Sequence, residues 1–539
     1  MKKQNPLTRE QLKAFDKDLL VEMVYSLTEQ VEEMNNKLAF MTEQINVMKN
    51  QRFGRHSEKS ETLDGQMEFI FNETEIVIDE FRKDSITELP IEELIPLTSE
   101  PKGKTPHPKG RREEILKDVP REDIFSELSG DDLRCGCGGT FVEKGEEKVV
   151  QLIFIPASFK LEIHHVKTYE CPRCGAVRQS DGPIPLFDGS YASPSLISGI
   201  MNAKFINAMT YYRLEKEFQS LGVPLKRATM ARWMVWAAER YFCLLYDRLK
   251  ADLLDHPYIH ADETTVMVTK DGRKAGAKSF MWVYTKAGSS HPVVIFEYQK
   301  TRAHAHAKEF LKDYKGHLVC DGYEAYHSLG GDIVVCGCWA HARRHYDNAA
   351  KALKKLPERK HESDVSSKAL EKIAEFYRLE NSWKELTSEE RLCNRQKILK
   401  PKVEAYFEWV AKVRKNVPPK SETGKGLTYS VNQKKYLTAF LEDGNVPLDN
   451  SEAERKIRNF VISRKNFVMI DTLTGAEASA VLFSMCETAR ANNLKPYDYF
   501  KYLLEKIPKH MGESSKDMSF LNDLLPWSDK LPKEIRRNQ

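Results

Sequence analysis

Between residues 20 and 48 the apolar side chains recur on two interleaved seven-residue rows. Val24, Val31, Leu38 and Ile45 form one row, and Leu20, Leu27, Met34, Met41 and Met48 form the other, with Glu, Lys and Asn between them. An a/d heptad of this kind predicts a coiled-coil oligomerisation helix over residues 15–52. Residues 193–250 keep helical spacing throughout. Within them Tyr211–Ser220 and Ala228–Glu239 flank a Leu-Gly-Val turn at Gly222, the proportions of a helix-turn-helix unit.

From residue 257 the pattern changes to strand-like runs. HPYIHADETTVMV, KSFMWVYTK and HPVVIFEYQ read as consecutive strands. A helical stretch (His304–Tyr314) follows, then the strand GHLVC ending at Asp321, a short helix, the strand DIVVCGC and a helix beginning near Ala340. This β-β-β-α-β-α-β order is that of a ribonuclease-H-like α/β fold. There the first strand lies beside the strand after the first helix, so Asp262 and Asp321 are expected on neighbouring strands.

Composition narrows the setting. At 539 residues the chain holds several domains, and a net charge of +4 with 30% charged residues makes any nucleic-acid surface local. The polar N-terminus (Met1–Glu10) and the lack of a long apolar run imply a soluble protein that stays inside the cell, with no membrane partner. Four of the ten cysteines cluster as Cys135-Gly-Cys137 and Cys171-Pro-Arg-Cys174, with VVQLIFI and FKLEIHHVKTYE between them as two strands. Two knuckles joined by a hairpin predict a zinc ribbon holding one structural Zn²⁺. The first knuckle has one intervening residue where two are usual, and His164 or His165 is the alternative ligand. Cys336, Cys338 and His341 also have ligand-like spacing, but read as two core cysteines and a histidine near the active site. Residues 53–112, with the basic run RFGRHSEK and a Pro/Gly/Lys-rich end, read as a mobile linker.

Two carboxylates facing each other repel unless a divalent cation lies between them. Hard oxygen donors suit Mg²⁺ or Mn²⁺, and a two-ion site holds the attacking and leaving oxygens of a phosphodiester in line. A third acid is sought on a helix laid over the sheet, and DNSEAERKIR (Asp449–Arg458) offers Glu454, with Glu452 two positions away as the competitor. Asp449 or Asn450 is expected to cap that helix.

Several of these segments resemble the transposases of the insertion-sequence 66 family. HADET around Asp262, DGYEAY from Asp321, GCWAHARRHY from Gly337, DNSEAERKIR and SRKN at Ser463–Asn466 carry the resemblance. RFGRHSEK, KDVPRED (Lys117–Asp123) and ETARANNLKPYDYF (Glu487–Phe500) extend it along nearly the whole chain. The resemblance implies a DDE-type DNA transposase in which Asp262, Asp321 and Glu454, the acid directly before Arg455, bind two Mg²⁺ or Mn²⁺ ions. It implies cleavage and strand transfer at the ends of a mobile element, double-stranded DNA as partner, and small companion proteins encoded by the same element. Glu452 departs from the family pattern, which has a small residue there.

The expected whole is a multidomain α+β chain. It runs from coiled coil (15–52) through basic motif and linker (53–112), zinc ribbon (113–182) and helix-turn-helix-like DNA-binding region (183–250) to the catalytic domain (251–350). A helical insertion (351–444), the closing helices (445–500) and a C-terminal tail (501–539) complete it. Phosphate contacts are expected from Arg52, Arg55 and Lys59, from Lys226, Arg227 and Arg232, and, beside the acids, from Arg343, Arg344, Arg455, Arg458, Arg464 and Lys465. A cytoplasmic, nucleoid-associated bacterial enzyme is the setting this implies. The competing readings are a structure-specific nuclease of the same fold and a non-catalytic DNA-binding regulator derived from a transposase.

Overall fold

The apolar run Met281–Lys286 is buried at every position, so the strand carrying it must be covered on both faces. The computed structural model shows how. It describes residues 158–170, 174, 177–179, 182–274, 276–286, 289–353, 364–511 and 517–537, together with positions 24–26, 28 and 34. The chain divides into two compact units, residues 1–54 with 162–537 and residues 55–161 with 538–539; apart from residues 158–161, the described residues belong to the first.

A short antiparallel ladder pairs β1 (Thr168–Glu170) with β2 (Val177–Gln179), and exposed Cys174 lies between them. The strand expected over 159–170 is thus only its last three residues: residues 158–167 form no strand, and among the described residues its ladder partner lies after the Cys171/Cys174 knuckle. VVQLIFI, Cys135, Cys137, Cys171, the linker, Arg52, Arg55 and Lys59 lie outside the described residues. Of the heptad segment, the described positions are helical, and Val24 and Met34, one from each row, are exposed.

Between residues 182 and 257 four α-helices precede the main sheet: α1 (Pro194–Met201), α2 (Tyr211–Ser220), α3 (Arg227–Ala237) and α4 (Cys243–Leu254). Gly222, at φ +83°, makes the turn between α2 and α3, a backbone region that costs glycine nothing. The sheet is built on β3 (Tyr258–Lys270), which pairs antiparallel with β4 (Lys278–Lys286), itself antiparallel to β5 (Val294–Gln299). On its other side β3 pairs parallel with β6 (Gly316–Cys320), which pairs parallel with β7 (Ile333–Gly337). The strand order β5-β4-β3-β6-β7 has the first strand beside the one that follows the first helix, α5 (His304–Phe310). A one-turn helix, α6 (Glu324–His327), separates β6 from β7.

After α7 (Trp339–Leu353) the chain leaves the sheet for four helices: α8 (Val365–Ser382), α9 (Ser388–Asn394), α10 (Lys400–Val413) and α11 (Glu422–Thr438). They share a second apolar core with α7, centred on Trp339, Phe376, Tyr406 and Leu437. Buried Arg395 braces this core: it pairs with Glu380 at 2.7 Å and donates to Phe440 O at 2.8 Å. The chain returns as α12 (Ser451–Phe467), adds β8 (Ile470–Thr472) parallel to the far end of β3, and ends on α13 (Leu473–Ala491) and α14 (Pro496–Met511). No described helix is long and apolar enough to cross a membrane.

The exposed side of β5 would be an edge with unpaired N–H groups. α13 covers it: Val294 N donates to Thr488 Oγ1 at 3.0 Å and Phe296 N to Ser484 Oγ at 2.7 Å. Under this cover, burial pushes the carboxyl of Glu297 up from its ordinary 4.5 to about 7, with Lys250 offsetting only part of the effect. A raised carboxyl adds nothing unfavourable below the unfolded value, destabilises progressively as pH rises from there to the folded value, and costs a constant amount above it. Glu297→Gln is therefore expected to gain stability over wild type from pH 4.5 to 7 and hold it above, by roughly 2–3 kcal/mol. Chemical denaturation at pH 5 and pH 8 checks this; equal gains at both would refute the assignment.

Candidate active site

Three elements converge at the C-terminal end of β6, the strand parallel to the start of β3. Asp262 lies on β3, where its Oδ1 accepts from Glu263 N at 2.9 Å. Asp321 follows the last residue of β6, and its Oδ1 accepts from Tyr323 N at 2.9 Å, closing the turn. That turn needs Gly322, because a Cβ there would meet the Tyr429 ring of α11 at 2.7 Å. Glu454 stands in the first turn of α12, its side chain 14% exposed.

The electrostatics tie the three together. Burial first, then the charges of Glu263, Asp321 and Glu454, hold the Asp262 carboxyl well above the usual carboxylate range. Glu452 behaves differently. Burial opposes its charge, but Arg455 at 2.5 Å and Lys456 at 3.4 Å outweigh that and hold it below the usual range. Glu452 is thus balanced by its own helix, whereas Glu454 adds to the charge on Asp262.

The expected cap of α12 is divided between two residues. Asp449 takes the first free amide, Ser451 N, at 3.0 Å. Asn450 stands at the cap position with no side-chain capping bond, because its amide is committed elsewhere. Its Oδ1 meets His260 Nδ1 at 2.9 Å, its Nδ2 donates to Ala261 O at 2.7 Å, and its backbone N donates to Cys338 Sγ at 3.2 Å. Asn450 therefore bolts α12 to β3 and to the start of α7, which sets Glu454 beside Asp262.

Three oxygen donors that repel one another are what a divalent ion of the Mg²⁺ or Mn²⁺ class neutralises, and the donor set fits such ions. A second, mixed set also forms: one ligand atom each from Cys338, His341 and Glu454 lie within 4.8 Å of one another. Cys336 is buried in the helical core instead.

Comparison with protein families matches residues 189–478, more than half the chain, to the "Transposase IS66 family". The chain belongs to the IS66 family of transposases. Residues 41–124 match "Transposase C of IS166 homeodomain" and residues 484–527 the "IS66 C-terminal element". Relatives include uncharacterized proteins of Sinorhizobium fredii. One, y4jD, is 27% identical over 430 residues (77% of this chain, 81% of the relative); another, y4qI, is 26% identical over 518 residues (92% and 90%).

Among the cations expected to meet phosphate in this IS66-family chain, the structure separates several. Lys226, Arg227 and Arg232 are exposed at and along α3, Arg227 near the Tyr212 ring and Arg232 near that of Trp236. Arg455 is exposed and paired with Glu452; Lys465 is exposed, and Arg343 is half-buried. Arg458 has one guanidinium nitrogen buried without a hydrogen-bond partner. Arg464 is engaged within the protein: its Nη1 donates to Thr264 Oγ1 at 2.9 Å, to Thr265 Oγ1 at 3.1 Å and to Thr265 O, so it fastens α12 to β3. Arg344 likewise turns to Glu454, 3.5 Å away.

Sequence reading missed Glu263 and Arg302. Glu263 follows Asp262, and its carboxylate, 1% exposed, receives Arg302 Nε at 2.7 Å and Tyr326 Oη at 2.6 Å. Arg302 stacks 3.6 Å from the Tyr323 ring centre and stands 4.0 Å from Asp321 Oδ2. The signal was present as the second acid of HADET, but its partner lies 39 residues away with no motif to link them.

Because burial, and then its acidic neighbours, raise Asp262, metal-free protein loses stability as pH rises through and above the ordinary carboxylate range. Asp262→Asn should therefore melt higher than wild type at pH 8 in EDTA, with the two converging as pH falls. Mg²⁺ should raise the wild-type melting temperature and leave the variant nearly unmoved. A pH-independent difference in calorimetry would show that the carboxylates do not repel.

Proposed function

We propose that this chain is a DDE transposase that binds the ends of its insertion sequence and catalyses strand cleavage and strand transfer. What carries the reading is the convergence of Asp262, Asp321 and Glu454, from a central strand, its parallel neighbour and a covering helix, within the family-matched region. On this reading the sheet and its helices form a ribonuclease-H-like catalytic domain interrupted by the α8–α11 insertion.

Asp262, Asp321 and Glu454 would hold two Mg²⁺ or Mn²⁺ ions. Such ions, when bound, supply Lewis-acid activation of the attacking oxygen and neutralise charge on the phosphodiester. The protein's own part is positioning. The backbone amides of Glu263 and Tyr323 each fix one oxygen of an aspartate, which leaves the other to face the substrate side. Water attacks the phosphodiester at the element's end and the P–O bond to the leaving strand breaks, freeing a 3′-OH. That hydroxyl then attacks a target phosphodiester, exchanging one P–O bond for another, so one pocket serves hydrolysis and transesterification.

Lys226, Arg227 and Arg232 on the α2–α3 pair, with Arg343, Arg455, Arg458 and Lys465 near the acids, supply phosphate contacts, as Arg52, Arg55 and Lys59 do on the basic motif. Cys135, Cys137, Cys171 and Cys174 hold a structural Zn²⁺, and the heptads make the protein a homo-oligomer. Companion proteins of the same element complete the machinery, and the protein works at the bacterial nucleoid.

The test is a labelled duplex carrying the element's own end, incubated with Mg²⁺ or Mn²⁺. Asp262→Ala, Asp321→Ala and Glu454→Ala should drop cleavage and strand transfer to background while end binding persists. Glu452→Ala should keep activity within a few-fold of wild type. If wild type binds the end but never cuts it, with companion proteins supplied, the regulator reading replaces this one.

A further inference from the structure

Helices α7 and α12 meet at Glu454. His341 Nδ1 lies 3.6 Å from Glu454 Oε1, and Arg344 Nη2 lies 3.5 Å from Oε2. The two α7 residues also meet each other, Arg344 Nη1 standing 3.3 Å from His341 Nε2. A guanidinium has only N–H groups to give, so His341 Nε2 is the acceptor in that contact and carries no proton. The ring proton of this tautomer is then on Nδ1, the nitrogen nearer Glu454. At 3.6 Å from Oε1 this nitrogen is buried and makes no hydrogen bond, so the His341 contact with Glu454 is one of proximity that a small shift of either side chain would close.

This assignment decides between two uses of the Cys338, His341 and Glu454 cluster. To bind a metal, Nδ1 must offer its lone pair, and Nε2 must then carry the proton. That would set an imidazole N–H against an arginine N–H, two donors with nothing between them. Metal-bound histidines instead give their outer N–H to an acceptor. The cluster is therefore a poor soft-metal site and a good bracket for a carboxylate.

We propose that His341 and Arg344 are positioning residues that hold both oxygens of Glu454 in the orientation needed to bind a catalytic ion. The proposal rests on the reading of Glu454 as the third acid, and it takes Arg344 out of the phosphate-contacting set. Its logic is mechanical. Asp262 and Asp321 have short stems and an oxygen each fixed by a backbone amide. Glu454 has one more rotatable bond, and a site misplaced by about 0.5 Å loses its productive geometry. The spacing of His341 and Arg344, three residues apart on one helix, lets one face of α7 supply both contacts.

The experiment uses the full-length chain and reads Mn²⁺ binding by the loss of the free-ion paramagnetic resonance signal, beside cleavage as a function of Mg²⁺. The variants are His341→Ala, His341→Asn, Arg344→Ala and Arg344→Lys, with binding to the element end measured in each. His341→Ala and Arg344→Ala should weaken Mn²⁺ binding and raise the half-saturating Mg²⁺ roughly ten- to a hundredfold, with DNA binding unchanged. His341→Asn, whose amide nitrogen falls near the place of Nδ1, should recover most of the loss, as a fold defect would not.

Unchanged Mn²⁺ binding in both alanine variants would overturn the proposal. So would an Arg344→Ala protein that keeps its Mn²⁺ affinity but binds DNA more weakly with a salt slope reduced by about one, the mark of a phosphate contact. Zinc beyond the cysteine cluster, lost equally from His341→Ala, His341→Asn and Cys338→Ala, would make the residues ligands and also overturn it. A wild type that binds Mn²⁺ in the expected clamp-dependent way yet cuts no DNA would sustain the bracket and sink the transposase reading.

Discussion

The fold's central constraint is the buried side chain of Asn450. One amide satisfies a histidine on β3 and a carbonyl of the same strand, while its own backbone N–H is taken by a cysteine ahead of α7. Three elements from distant parts of the chain are thereby fixed within a few ångströms of each other. No other side chain of similar size offers both a donor and an acceptor in this fork; an aspartate would set a lone pair against Ala261 O. Leaving either strand group unpaired in the interior would cost on the order of 1–3 kcal/mol. Around this bolt the position of Glu454 follows, because it lies one helical turn further along α12.

The bolt also has to withstand charge. Asp262, Glu263, Asp321 and Glu454 gather in a partly desolvated space, where like charges are expensive. The structure answers with an arginine at each flank. Arg302 binds Glu263, lies over Tyr323 and reaches toward Asp321, while Arg344 stands at Glu454. Glu263 is thus neutralised on the α5–α6 side of the sheet, and Asp262 is left as the acid least compensated by protein groups. The insertion adds stiffness from a third direction: Tyr429 and Gln433 of α11 press on the Asp321 turn at Gly322.

How far the residues foretold this differs by kind of signal. The five core strands were readable because each is a short run rich in β-branched and aromatic residues, FMWVY in β4 and VIF in β5 among them. The pairing of β3 with β6 followed from connectivity, and the two aspartates with it. For the acid on α12, Glu454 was expected with Glu452 as the competitor; helix position alone does not say that Glu452 is the one balanced by Arg455 and Lys456. The bonds of Arg464 to Thr264 and Thr265 could not be read, because a basic residue after a motif looks alike whether it faces solvent or bonds a neighbouring strand. Asn450 was taken for a cap because capping residues and structural amides share one composition; only the neighbouring His260 reveals which it is. Arg302 could not be found, for the ion pair depends on a loop geometry that no periodicity encodes.

The α8–α11 insertion has a consequence for synthesis. Asp262 and Asp321 leave the ribosome with β3 and β6, but the carboxylate that completes the cluster is delayed until the whole insertion and then α12 have been made. β5, too, keeps an unsatisfied edge until Ser484 and Thr488 arrive on α13. A nascent or prematurely terminated chain therefore holds two acids without the third and a sheet without its cover. The cluster is thus completed last, from the C-terminal side of the chain, and its charge repulsion arises only once α12 has been made.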